Sequence, residues 1–297
     1  MALTLRLSLN NVSPVKTDFL KSNVNWKIWN RLSLGIVVCG LGWQNAHATE
    51  RLFTYSYEPE TMVQGTSEFE QWVTLRTQRT KEVGKENFNR WELREEFEHG
   101  VTDNYTVALY VNTKAQSFRD PVAGTDESEF EFAGVSIENR FMVLNPAEHA
   151  VGLALYLEPG FSGEEAEIEQ KIILGQRHGA WKWALNLTHE TEWEDNLHEI
   201  EGKLEASLGI ARELGKRCWI GLEARNVNAL PEYETWEYTA LYLGPVIGYR
   251  RENWWATLTV MPQVFGVNYE GNPDKDRSLV LDEQERVNIR LIFGISF

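Results

Sequence analysis

The chain ends with VNIRLIFGISF (residues 287–297), in which side chains of two kinds alternate. Apolar residues occupy every odd position from Val287 to Phe297, and polar or small residues such as Arg290 take most even positions. A period of two indicates a β-strand with one apolar face. A terminal strand of a soluble sandwich alternates in the same way but seldom stops on a large aromatic residue. The stretch therefore predicts a strand whose odd-numbered face meets something other than water.

The same alternation recurs along the chain, for example in YTVALYVNT (105–113), AVGLALYLE (150–158) and IEGKLEASLGI (200–210). It predicts twelve strands, at residues 67–79, 87–99, 103–113, 129–143, 149–158, 164–176, 180–193, 198–212, 217–226, 236–250, 253–265 and 285–297. Strands of soluble proteins have about 5–6 residues, whereas a tilted strand needs about 9–11 residues to cross a bilayer. The predicted lengths favour an all-β protein with a single transmembrane, antiparallel, up-and-down β-barrel.

The links between these strands alternate in length. Tight links occur at HGVTD, NPAEH, RHGA, ELGK and RREN, and longer or acidic links such as KAQSFRDPVAGTDESE and GVNYEGNPDKDRSLVLDE lie between them. Bacterial barrels have short periplasmic turns and longer external loops. This pattern places both ends of the barrel in the periplasm and requires an even number of strands, which twelve satisfies.

Aromatic residues on the apolar face are sorted toward one end of the predicted strands. They adjoin the short turns or the ends of the barrel segment, and they are Phe69, Phe97, Tyr105, Phe141, Trp181, Tyr249, Trp254 and Phe297. Aromatic side chains concentrate at membrane interfaces. We therefore expect the odd face of the last strand to contact lipid, and Phe297 to be the assembly signal that barrel-assembly machinery reads.

The first 48 residues have the features of a secretory signal peptide. Lys21, Lys27 and Arg31 precede the apolar stretch LSLGIVVCGLGW, and AHA (46–48) supplies a small-x-small cleavage site. The sequence thus divides into a cleaved signal peptide (1–48), a segment of open role (49–66) and a barrel (67–297). The segment 49–66 is either a periplasmic extension or a partial plug.

Composition restricts the function further. Mean hydropathy is −0.40, and the sequence holds no run of about 18 apolar residues that would predict a transmembrane helix. Residues 1–48 carry five of the 29 basic and one of the 44 acidic residues, so the remainder has 24 against 43 and a net charge of −19. Such a charge argues against nucleic acid as a partner. Cys218 is the one cysteine after residue 48, which excludes an internal disulfide there.

Two stretches resemble a known family. FNRWELREEFEHGVTDNYTVALYVNT (88–113) and RLFTYSYEPETMVQGTSEFEQW (51–72) are similar to the first hairpins of a family of bacterial outer-membrane β-barrels of poorly defined function, the porin-like proteins. The resemblance implies the barrel fold and a location in the outer membrane of a Gram-negative bacterium. It implies no catalytic residue.

The face opposite the apolar stripe is strongly charged. Strand parity assigns these residues to the lumen as pore-lining residues: Glu70, Arg76, Arg90, Glu92, Arg94, Glu96, Glu138, Arg140, Glu167, Glu169, Lys171, Lys182, Glu190, Glu201, Lys203, Glu205, Glu223, Arg225, Arg286 and Arg290. Charges are tolerated there only where water or partners meet them. They predict either a selective aqueous pore or a closed barrel filled by ion pairs.

Features that would indicate catalysis or a metal site are weak. His189 and His198 flank a corner that contains Glu190, Glu192, Glu194 and Asp195, but HETEW does not match a zinc-ligand spacing. The loop EGNPDKDR has Asn272, Asp274 and Asp276 without the glycine and closing glutamate of a calcium loop. We therefore expect no catalytic residue, no metal and no cofactor.

The sequence as a whole predicts a passive outer-membrane pore for small solutes that prefers cations, because carboxylates along a low-dielectric wall attract cations. The expected partners are outer-membrane lipid and lipopolysaccharide, barrel-assembly machinery and small solutes. Two alternatives stay open: an outer-membrane enzyme that acts on lipid or peptide at the external rim, and a closed structural barrel.

Overall fold

The computed structural model describes residues 50–79, 87–120, 122–163, 165–194, 197–269, 278–281 and 284–297. Within them, twelve antiparallel strands form a closed barrel. The strands are β1 Ser67–Thr77, β2 Asn89–Thr102, β3 Tyr105–Arg119, β4 Asp126–Leu144, β5 Gly152–Ser162, β6 Glu165–His178, β7 Trp181–Glu194, β8 Glu199–Leu214, β9 Cys218–Pro231, β10 Tyr238–Arg250, β11 Trp254–Asn268 and β12 Val287–Ser296. The predicted signal peptide lies outside the described residues.

Each strand pairs with its neighbours in sequence, and β12 pairs with β1 to close the barrel. At this seam Glu68 lies opposite Ser296 and Thr77 lies opposite Val287. Closure leaves no edge strand with unpaired backbone groups, which lipid could not satisfy. Among the described residues, no helix is long and apolar enough to cross a membrane. The predicted up-and-down barrel of twelve strands is confirmed.

The alternation of side chains has the register that the sequence predicts. In β5, Leu155 points outward and is 46% exposed, whereas Ala154 points inward and is fully buried. In β8, Leu208 is exposed on the outside and Ser207 is buried on the inside. A shift of one residue would exchange these faces in every strand. The outward face is therefore the apolar one, as in a membrane barrel.

Strands β3 and β4 extend farther than the sequence pattern indicates. The stretch 114–129, which the sequence predicts as a loop, is mostly a continuation of this hairpin, and the connection is only 120–125. Lys114 pairs across the hairpin with Glu131 at 3.1 Å. In β3 the continuation has small or polar residues on the outside, such as Ser117 and Arg119, so hydrophobic alternation does not reveal it.

Aromatic residues at the short-turn end contact one another on the outside of the barrel. Tyr105 stacks on Phe141 with ring centroids 4.3 Å apart, and Phe97 lies 6.0 Å from Phe297. These contacts join β3 to β4 and β2 to the chain end. They form the interfacial aromatic band that parity predicts.

Candidate functional site

Residues 50–62, which we call the plug, lie inside the barrel at its short-turn end. Leu52, Phe53, Tyr55, Tyr57 and Met62 are all buried there. The sequence leaves two placements open for this segment, and the structure has it within the lumen. It divides the interior into an inner half, which the plug fills, and an outer half toward the longer loops.

One carboxylate on the wall holds the plug by its backbone. Glu223 of β9 is fully buried and accepts hydrogen bonds from the backbone N–H groups of Thr54, Tyr55 and Ser56, at 3.2, 2.7 and 2.6 Å. The hydroxyl of Thr259 donates to the same carboxylate at 3.0 Å. Successive N–H groups that converge in this way form a concave binding site for an anion. Glu223 thereby satisfies three buried backbone donors of the plug at once.

Other wall side chains satisfy further backbone groups of the plug. Asn186 accepts a hydrogen bond from Tyr57 N at 2.6 Å and donates one to Tyr57 O at 2.9 Å. Trp219 Nε1 donates to Leu52 O at 3.1 Å. Because buried backbone groups without partners are costly, these contacts make the plugged state a specific arrangement.

The wall has small residues where the plug touches it. A Cβ atom on Gly175 or Gly152 would come within 2.7 or 2.8 Å of the Pro59 ring. A Cβ atom on Gly209 would overlap the ring of Phe53. The surface that receives the plug is therefore shaped by glycine at the points of closest approach.

Stacked cations and rings close the lumen at the level of the plug. The guanidinium of Arg51 lies 3.8 Å from the ring centre of Tyr57 and 4.4 Å from that of Trp72. Arg94 lies 3.7 Å from the ring centre of Tyr110. Such contacts are strongest where the cation is desolvated. This layer separates the inner half from the outer half.

The inner half is rich in carboxylates. Among the described residues, its buried wall carries two cations, Arg140 and Lys182, and seven carboxylates, Glu68, Glu70, Glu96, Glu98, Glu138, Glu158 and Glu223. Tyr110 donates to Glu96 at 2.8 Å, and Lys182 lies 2.9 Å from Glu60 of the plug. A cavity of about 20 Å³ beside Arg51 and Glu58 has room for about one water molecule. Burial raises the pKa of the Glu58 carboxyl above its ordinary value, and the Lys182 ammonium opposes that shift only in part.

The outer half is a charged vestibule. Its wall residues are partly exposed: Glu192 is 22% and Glu201 31% accessible through the side chain. Ion pairs lie along the wall, with Arg76 2.9 Å from Glu92 and Arg225 2.6 Å from Glu205. Partial exposure of so many charges inside a barrel indicates a lumen that contains water on this side.

The predicted lumen residues therefore fall into two sets. Six face the interior but are buried by or near the plug: Glu70, Glu96, Glu138, Arg140, Lys182 and Glu223. Thirteen face the vestibule and are partly exposed: Arg76, Arg90, Glu92, Arg94, Glu167, Glu169, Lys171, Glu190, Glu201, Lys203, Glu205, Arg225 and Arg290.

Arg286 lies just before β12, where strand parity does not apply. Its side chain is exposed, because residues 284–286 precede β12 and do not follow the alternation of the strand. The neighbouring Glu285 turns inward instead and pairs with Arg79 at 2.8 Å. Glu98 and Glu158 also face the interior. Their parity in the sequence would have revealed both, whereas Arg79 and Glu285 lie outside the strands and have no such signal.

The residues of the histidine corner divide between the two faces of the barrel. His189 Nε2 lies 3.0 Å from the hydroxyl of Tyr233 on the outer surface of the barrel. On the inside, the carboxylates of Glu192, Glu194 and Glu201 approach one another within 4.8 Å, and Lys203 already contacts Glu192. A lysine thus supplies the positive charge at this cluster. Asp195 and the loop with Asn272, Asp274 and Asp276 lie outside the described residues.

Comparison with solved structures shows the fold. The barrel is similar to the COG4313 outer membrane channel from Pseudomonas putida F1, with a TM-score of 0.56 and 11% identity over 80% of this chain and 97% of that chain. NanC porin has a TM-score of 0.47 and 9% identity over 77% of this chain and 98% of its own. KdgM porin, solved with disordered oligogalacturonate, has 0.46 and 8% over 78% and 99%.

No curated protein matches the sequence. A family of unknown function (DUF6662) matches residues 45–297, which include the plug and every strand of the barrel. The chain, an all-β barrel of the outer-membrane type, belongs to that family.

Proposed function

We propose that the protein is a plugged outer-membrane channel that passes small solutes when residues 50–62 leave the lumen. One observation carries the proposal: the inner half is blocked by a separate segment of chain, held by a few wall side chains such as Glu223 and Asn186. In a purely structural barrel, wall side chains would fill the interior themselves. Here the wall recedes to glycine where the plug contacts it.

The geometry supports a movable plug. A barrel of twelve strands tilted by about 40° with a spacing of about 4.8 Å has a backbone radius of about 12 Å. In a barrel of that radius, small inward side chains do not fill the lumen, and an aqueous path stays open between them. The plug joins β1 through residues 63–66, where Val63 and Gln64 are exposed and Gly65 has a φ of +81°. This exposed turn lets the plug swing toward the periplasm without disturbing the strands.

The charge of the inner wall supports a preference for cations. The buried wall around the plug carries seven carboxylates against two cations. A ring of carboxylates in a narrow, low-dielectric passage concentrates cations and repels anions. The preference should weaken as salt screens the wall, because the Debye length falls to about 3 Å at 1 M ionic strength.

Location and partners follow from this function. We propose that residues 1–48 direct export and that the barrel resides in the outer membrane of a Gram-negative bacterium, surrounded by lipid and lipopolysaccharide. Phe297 would be read by barrel-assembly machinery. Hydrolysis at the external rim is the weaker alternative, since His189 there contacts Tyr233 rather than a serine or a water-activating metal site among the described residues.

Conductance in planar bilayers tests the proposal. The chain from residue 49 and a variant without residues 50–62 would be refolded, and heat-modifiable migration would show that both barrels are closed. We expect rare openings from the first and a steady, cation-selective conductance from the second. A plug-free barrel that is folded but does not conduct would refute the channel and favour a structural barrel. Anion-selective reversal potentials would refute the cation preference alone.

A further inference from the structure

The charges of the vestibule are separated onto opposite walls. Strands β6, β7 and β8 carry an acidic wall, made of Glu167, Glu169, Glu190, Glu192, Glu201 and Glu205 with Lys171 and Lys203. Strands β12, β1 and β2, together with the residues just after β1 and just before β12, carry a basic wall, made of Arg76, Arg79, Arg90 and Arg290 with Glu92 and Glu285. In a closed barrel of twelve strands, β7 is six strands from β1 in either direction. The two walls therefore face each other across the lumen.

The walls also lie at the same height. Arg76 is nine residues beyond the first residue of β1, and Glu190 is nine residues beyond the first residue of β7. In the ladder, Arg90 lies opposite Arg76, and Glu169 lies opposite Glu190. Both walls thus present their charges at the level above the plug.

Ion pairs within each wall do not cancel its charge. On the acidic wall, one ammonium group, that of Lys203, pairs with three carboxylates, those of Glu190, Glu192 and Glu201. On the basic wall, Arg90 donates to the neutral amide of Gln116 at 3.2 and 3.3 Å.

Arg290 on the same wall is bound in a similar way. It donates to Thr74 Oγ1 at 2.9 Å and lies 4.0 Å from the ring centre of Tyr55. These partners are neutral. They hold the guanidinium groups of Arg90 and Arg290 in place without neutralising their charge.

We propose that the vestibule binds short zwitterionic peptides, with the carboxyl terminus at the wall of Arg90 and Arg290 and the amino terminus at the wall of Glu190 and Glu192. This rests on the proposed function, for which it names a solute class. A backbone radius of about 12 Å, less about 6 Å of side chain on each side, leaves about 12 Å between the walls. An extended chain spans about 3.5 Å per residue. Peptides of three or four residues therefore reach both walls, whereas a single amino acid reaches one.

Binding to the full, plugged protein in detergent tests this without any need for conductance. Calorimetric titration would compare trialanine with N-acetyl-trialanine amide, which has the same length and no charge, and with alanine. We expect trialanine to bind at least tenfold more tightly than either. The binding should weaken as sodium chloride rises from 50 to 300 mM, since the walls act through water. Equal binding of trialanine and its uncharged analogue, or of trialanine and alanine, would overturn the proposal.

Variants assign each terminus to its wall. We expect R90Q/R290Q to weaken binding of N-acetyl-trialanine, which has only the carboxylate, and E190Q/E192Q to leave that binding unchanged. For trialanine amide, which has only the ammonium, the expected sensitivities are reversed. E131Q, on the β3–β4 hairpin beyond the vestibule, is the matched control. Identical responses of both peptides to both variants would show that the walls do not orient the solute. A plug-free barrel that fails to conduct would remove the channel and not the peptide site.

Discussion

Replacing Glu223 by glutamine should release the plug. The carboxylate uses one oxygen for the N–H groups of Tyr55 and Ser56 and the other for the N–H and hydroxyl of Thr54 and the hydroxyl of Thr259. A glutamine side chain keeps one accepting oxygen and turns the other position into a donor. At least one backbone N–H of the plug then loses its acceptor while it is still buried.

The cost follows from the hydrogen bonds that disappear. A hydrogen bond to a charged group contributes about 1.5–3 kcal/mol, and a buried donor without an acceptor costs about 1–3 kcal/mol. We therefore expect E223Q to weaken docking of the plug by about 2–4 kcal/mol, which is about 30- to 700-fold in the population of the undocked state at about 1.4 kcal/mol for each factor of ten. T259V removes a single hydroxyl donor from the same carboxylate. It should weaken docking by about 1 kcal/mol.

Thiol labelling measures the undocked population directly. Ser56 is fully buried, so a cysteine at this position, in a chain with C218S, reacts with a membrane-impermeant maleimide only when the plug leaves. Where undocking is fast, the labelling rate is proportional to the undocked fraction. We expect the rate to rise strongly with E223Q, slightly with T259V and not with E131Q. An unchanged rate with E223Q, in a barrel that still migrates as folded, would refute the role of Glu223 as the anchor of the plug.

Three further predictions concern the wall, the chain end and pH. L187R places a charge on the lipid face near mid-strand and should cost about 2–4 kcal/mol in urea unfolding from vesicles. T188R points into the lumen, where Thr188 is buried beside Glu205, and should cost less than L187R because the Glu205 carboxylate meets the new charge. The reverse order would show that the register is wrong. Deletion of Phe297 should lower the yield of folded barrel in the outer membrane without affecting export, whereas F297Y, which keeps the ring, should restore it; equal yields from all three chains would contradict the assembly role. Burial raises the pKa of Glu58 in the docked plug, so the contribution of this group to docking is fully present below the ordinary carboxyl pKa and is lost as pH rises through the raised pKa. E58Q should flatten the rise of labelling with pH, and an identical pH profile would exclude Glu58 from this coupling.

The barrel was predictable because its strands alternate apolar and polar side chains. The odd-even pattern around Leu155 and Leu208 predicts both the strands and the face that meets lipid, and the structure confirms it. The far end of β3 was not predictable, since residues 114–119 continue the ladder without an apolar alternation. Parity reports the direction of a side chain, and this direction is not the same as contact with water: Ala154 points inward and is completely covered.

The contacts of the plug, in contrast, could not be predicted from the sequence. Glu223 is predictable as an interior residue from its place in β9, but its partners at residues 54–56 are backbone N–H groups, which every sequence has. The match to small wall residues is equally invisible, because glycine in a strand also marks bulges and bends. Arg286 marks the limit of parity, since it precedes β12 and belongs to no strand.

The pairing of β1 with β12 has a consequence for how the molecule folds. Eleven of the twelve pairings join strands that follow one another along the chain, whereas this one joins residues 67–77 to residues 287–296. Closing a loop of more than 200 residues costs about 5 kcal/mol in chain entropy, and no local contact offsets it before the two strands meet. Side chains at that junction stabilise the closed barrel. Glu68 on the first strand accepts hydrogen bonds from Ser296 on the last strand and from Trp255 on the strand before it. We expect the hairpins to form first, as an open sheet. The pairing of β1 with β12, which the hydrogen bonds of Glu68 stabilise, is then the final, slow step.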